Sequence, residues 1–103
     1  MSLQALILSL LSGIDDPATR TDIATTIAYL KDLYLTGVLG EDQLRNELFN
    51  VIDTVLEDKH PELLPDERIK RVNSLVDQFV RAIKLETMRA RMITRFGMRS
   101  LPT

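Results

Sequence analysis

Pro65 to Gly97 reads PDERIKRVNSLVDQFVRAIKLETMRARMITRFG, with no glycine or proline between its ends. A run of this length without breakers predicts one long helix over about residues 66–97. At about 1.5 Å per residue it would extend roughly 45–50 Å. Apolar residues recur on one face at helical spacing, and this face is expected to pack in a core: Ile69, Val72, Val76, Phe79, Val80 and Ile83.

Three shorter helices are predicted before it, over about residues 2–12, 17–36 and 41–60. The long helix is expected to extend past them, which leaves roughly ten residues at its end without a partner in the same chain. Asp16 followed by Pro17 is a typical helix start, because the carboxylate caps the free amides and proline suits the first helical position. Gly37 is expected to end the second helix with a positive φ. Apolar stripes run through all three segments, and Ile23 and Tyr34 are expected on the inner face of the second helix. The second and third helices are expected to form a hairpin, and the first, which is marginal alone, must pack on another element. The prediction is therefore an all-α fold: a small helical bundle of about four helices with a long C-terminal helix, forming one domain over residues 1–103.

Composition limits the class of protein. The chain has 103 residues, 45% of them hydrophobic, with no cysteine and a formal net charge of −2. Thiolate chemistry and disulfides are therefore excluded. No stretch reaches the roughly 18–20 apolar residues of a membrane span, and Leu3–Leu11 lacks the basic start of a signal peptide. We therefore expect a soluble cytoplasmic protein.

A second apolar stripe appears late in the long helix. Leu85, Met88, Met92 and Phe96 lie roughly 160–170° around the helix from the first stripe, with Ile93 nearby. One straight helix cannot bury both stripes in a single core. Either the helix breaks near residues 85–87 and folds back, or the second stripe contacts another chain. The prediction is self-association or binding of another helical protein, most simply as a two-fold homodimer, through Leu85, Met88, Met92, Ile93 and Phe96.

Charge is unevenly distributed and suggests an alternative function. Residues 1–60 carry four basic and ten acidic side chains, whereas residues 61–103 carry nine basic and five acidic ones. A row of cations within about 80° on the long helix can follow a phosphate backbone, and it consists of Arg81, Lys84, Arg91, Arg95 and Arg99. A nucleic-acid-binding accessory protein is therefore the alternative to a protein interaction module. The same row can instead be a solvated face or pair with the acidic first half.

No catalytic motif is found, and we predict a protein that is not an enzyme and uses no cofactor. Asp53, Glu57 and His60 share a helix face at a spacing known from carboxylate-bridged metal sites. His60 is, however, the only histidine, so the second motif of such a site is missing. By their helical angles these residues also lie opposite the apolar stripe of the third helix. We therefore expect a solvated helix end and no metal site.

Overall fold

The computed structural model describes residues 1–94 of the chain. These residues form four helices and no strand: α1 (Leu3–Leu11), α2 (Pro17–Leu35), α3 (Glu41–Lys59) and α4 (Pro65–Met92). The prediction of an all-α bundle with a long last helix is confirmed. The predicted end of that helix at about residue 97 lies outside the described residues. Up to residue 94, no helix has the length and apolarity that crossing a membrane requires.

The helix ends follow the local signals in the sequence. Asp16 caps α2, since its Oδ2 accepts a hydrogen bond from the amide of Thr19 at 3.1 Å. This bond and a second one from the Thr19 hydroxyl lower the pKa of Asp16. Gly37 has a φ of 81°, as predicted, which allows the chain to leave α2 in the left-handed conformation. At the start of α3, the Gln43 side chain accepts a bond from the amide of Gly40.

The helices pack around one core that draws on all four of them. Ion pairs from Glu41 to Lys84, Arg45 to Asp77 and Asp53 to Arg68 show that α3 runs antiparallel to α4. α2 and α3 form the predicted hairpin, and α1 packs against α4 and α2. The largest fully buried side chains are Phe79, Ile27, Leu44, Leu48, Ile52, Ile83, Val72 and Val80.

Two cations from neighbouring helices hold the C-terminal end of α1. Lys59 Nζ donates to the carbonyl of Leu10 at 2.9 Å, and Arg20 Nη1 donates to the carbonyls of Leu11 and Ile14. Burial lowers the pKa of Lys59. α1 has only nine residues and no basic residue in its last turn. The charges that complement its helix dipole therefore come from α2 and α3.

Some positions that the apolar pattern placed inside are exposed. Ile69, in the first turns of α4, is 42% exposed, and Leu64, just before this helix, is 64% exposed. Both lie near the start of α4, where a residue can have the apolar spacing of the core face without a neighbouring helix to cover it. Ile23 and Tyr34 on α2 are only partly buried. The periodicity thus identified the inward face correctly but overestimated how far the core reaches at the start of α4.

Candidate interaction surface

α4 continues without interruption through residues 85–87. The alternative in which the helix breaks there and folds back is therefore wrong. Its second stripe is open to solvent: Leu85 is 44% exposed, Met88 52%, Met92 51% and Ile93 71%. We call these four residues the α4 apolar face. The fifth residue predicted for this surface, Phe96, lies outside the described residues.

α1 and α3 leave most of this face uncovered. Glu41, the first residue of α3, forms an ion pair with Lys84 at 2.8 Å. Met1, just before α1, lines a shallow depression with Ala82 and Leu85. Beyond Leu85, neither α1 nor the start of α3 is in a position to shield the exposed methionines.

The opposite side of the same turns is buried, contrary to the expectation that this stretch has no partner in its own chain. Thr87 is only 3% exposed, Ala90 is partly buried, and Arg91 Nη2 donates to the carbonyl of Leu35 at 3.4 Å. The last turn of α2 therefore covers α4 as far as Arg91. Thr87 and Ala90 continue the first stripe with small residues, which a search for large apolar side chains does not detect.

Tyr34 completes a groove beside the α4 apolar face. This groove has a volume of about 620 Å³, and it lies between Tyr34 on α2 and the last turns of α4. Its α4 wall combines apolar and basic residues: Arg81, Lys84, Leu85, Thr87, Met88, Arg91 and Met92. The sequence assigned Tyr34 to the inner face of α2. Its position in the final turn of α2, next to the hairpin loop, was the signal that it would lie at the bundle's edge.

The arginine row is largely engaged within the chain. Lys84 binds Glu41, and the hydrogen bond between them raises the pKa of Lys84 and lowers that of Glu41. Arg91 donates to Leu35, as described above, so Arg81 is the row's one member without a polar partner in the described part of the chain. Arg95 and Arg99 lie outside the described residues. The described row therefore does not present a continuous line of free cations.

The residues weighed as a metal site do not converge. Asp53 accepts a 2.8 Å bond from Arg68 Nε, so it faces α4 and not only water as expected. His60 Nδ1 lies 3.2 Å from a carboxylate oxygen of Glu62. Among residues 1–94 no three histidine or acidic side chains are grouped as ligands for a metal ion.

Comparisons with protein-family models, with curated proteins and with solved structures gave no match. Any inference about function therefore rests on the chain's own residues.

Proposed function

We propose that this protein is a non-enzymatic interaction module that self-associates through the α4 apolar face. The observation behind the proposal is the exposure of four large apolar side chains on one continuous helix whose opposite side is already packed. Fully burying a side chain of this size contributes about 1.5–3 kcal/mol. This free energy is lost while the patch stays in water, and it is gained when a second protein surface buries the patch.

A second copy of the chain is the partner that the charges favour. Lys84, Arg89 and Arg91 lie beside the α4 apolar face, while residues 1–60 have an excess of acidic side chains. Opposite charge around an apolar contact speeds encounter and selects the partner. We also expect the protein to act in the cytoplasm, which fractionation of cells would test.

The test is the mass in solution as a function of concentration. Sedimentation from about 1 μM to about 1 mM should show a species heavier than the 11.7 kDa chain, with a dissociation constant inside that range. Met88→Glu with Met92→Glu should weaken association at least tenfold, because the added carboxylates would have to be buried. Circular dichroism should show an unchanged helical fold, since both side chains are half exposed.

Leu64→Glu is the matched control. Leu64 is also a large exposed apolar residue, but it lies at the opposite end of α4. This change should leave association unaltered. A monomeric parent protein over the whole concentration range would refute self-association. Binding of DNA or RNA at low salt, lost on replacing Arg81 and Arg91 with Gln, would instead support the nucleic-acid alternative.

A further inference from the structure

A second apolar surface lies between α2 and α3. It is a groove of about 490 Å³ with Ile14, Ile23, Val51 and Val55 among its lining residues. Asp22 on α2 and Asp58 on α3 also line it. We call it the α2–α3 groove. It is formed by two antiparallel helices side by side, which is the shape that accepts a third helix.

The α2–α3 groove is mostly apolar, and two aspartates also line it. The hydroxyls of its three threonines already donate within their own helices, from Thr26 to the Asp22 carbonyl, from Thr54 to the Asn50 carbonyl and from Thr19 to the Asp16 carboxylate. An occupant therefore does not have to satisfy these donors. Methyl and methylene groups are suited to this surface.

The acidic edges are not neutralised by the nearest cations. Asp22 and Asp58 form no ion pair with any residue up to 94. Arg20 and Lys59, adjacent to them in the sequence, bind the carbonyls at the end of α1 instead. Within residues 1–94, the groove thus presents two carboxylates without an ion pair beside its apolar lining residues. A fitting occupant is a helix with an apolar stripe and basic flanks.

The end of α4 has these properties. From Leu85 to Met92 its apolar face extends about 10 Å, close to the length of α2 between Thr19 and Thr26. By their helical angles, Lys84 and Arg91 lie on one side of the stripe formed by Leu85, Met88 and Met92. Arg89 lies on its other side, between Leu85 and Ile93. All three of these cations are exposed, and Arg89 forms no ion pair within the described residues, whereas Lys84 binds Glu41 and Arg91 the Leu35 carbonyl. The size, polarity and sign of charge therefore match the α2–α3 groove.

We propose that the α2–α3 groove of one copy receives the C-terminal end of α4 of another copy. This inference rests on the proposed self-association and names its receiving surface. The two contacting surfaces differ, so the arrangement is head-to-tail and builds chains or closed rings. A two-fold contact between two α4 apolar faces would bring the same cations of both copies together, and like charges across an interface oppose association.

The experiment uses two variants that damage opposite sides of the contact. Met88→Glu with Met92→Glu removes the inserting surface, and Asp22→Lys with Asp58→Lys removes the acidic edges of the groove. Each variant alone should associate at least tenfold more weakly than the parent protein. An equimolar mixture should form a one-to-one complex that grows no further, because only one intact contact is then available between the two chains.

Asp32→Lys with Glu57→Lys is the matched control, since both acids are exposed, neither lines the groove, and the change in net charge is the same. It should associate like the parent protein. If the Asp22 and Asp58 variant also does so while the methionine variant does not, the head-to-tail contact is refuted and self-association stands. Two non-associating variants that fail to complement each other would also refute it. A monomeric parent protein would refute the proposed function itself.

Discussion

At the scale of single residues, the burial pattern separates what helical periodicity can identify from what it cannot. Val72, Val76, Phe79, Val80 and Ile83 were predicted to face the core, and all are buried. Periodicity succeeds here because these side chains are large and purely apolar.

Thr87 was missed although it is 3% exposed. Its hydroxyl donates to the Lys84 carbonyl, which satisfies the polar group inside its own helix. A threonine in such a position packs like a small apolar residue, and its letter in the sequence does not reveal this. The prediction that about ten residues at the end of α4 have no partner was wrong because Thr87 and Ala90 are small residues that pack inside.

Phe79 is the residue whose truncation tests the core register most directly. It is fully buried and the largest such side chain. Phe79→Ala should lower the free energy of unfolding by about 3–5 kcal/mol, because it removes buried apolar area and leaves a cavity. Denaturant unfolding measures the change. Asn73→Ala, at an exposed position of the same helix, is the control and should be neutral or slightly stabilising. Equal stability of both variants would contradict the packing of α4.

At the scale of elements, the ends of the helices were more predictable than the packing of one helix against another. The Asp16 cap and the positive φ of Gly37 follow from local chemistry, and both are present. The reach of α2 along α4 depends on how two helices cross, which no local signal contains. The groove formed by Tyr34 and the α2–α3 groove were not predicted for the same reason. Each is a product of tertiary packing.

α1 gives a second example of structure supported from outside the element. A helix of nine residues is marginal alone. Packing of Leu3, Leu6 and Leu10, together with the cations at its C-terminal end, supplies the stability that its sequence lacks. The sequence predicted that α1 must pack on something, but it did not identify Arg20 and Lys59 as the residues that hold its end.

Lys59→Met tests this support. The change removes the donor to the Leu10 carbonyl while keeping an apolar side chain of similar length. Stability should fall by roughly 1 kcal/mol, as expected when one hydrogen bond to a partly buried carbonyl is lost. Hydrogen exchange should accelerate mainly in α1, because its last turn loses a tertiary contact. Lys70→Met, at an exposed position of α4, should leave the exchange of α1 amides unchanged. Uniform acceleration across all four helices would argue against a local role for Lys59.

At the scale of the whole molecule, the distribution of charge matters more than the net value of −2. Acidic residues dominate the α2–α3 hairpin, and basic residues dominate the end of α4. Part of this difference is used inside the chain, where Lys84 binds Glu41 and Arg68 binds Asp53. The exposed pair of Lys84 with Glu41 contributes little to stability. Within the described residues, Arg89 beside the α4 apolar face and the carboxylates of Asp22 and Asp58 form no ion pair, so they remain available to a second copy.

The response of association to salt distinguishes the two possible arrangements of copies. Salt screens exposed charges, with a Debye length of about 10 Å at 0.1 M and about 3 Å at 1 M. In the head-to-tail contact, Lys84, Arg89 and Arg91 approach Asp22 and Asp58, so raising NaCl from about 50 mM to about 500 mM should weaken association severalfold. In a two-fold contact the same cations approach one another, and screening should strengthen association. Sedimentation at both salt concentrations shows whether association weakens or strengthens with salt.

The variant with Asp22→Lys and Asp58→Lys provides the control, because its groove repels the basic end of α4, and any residual association should increase with salt. Stronger association of the parent protein at high salt would contradict the head-to-tail arrangement and favour the two-fold dimer.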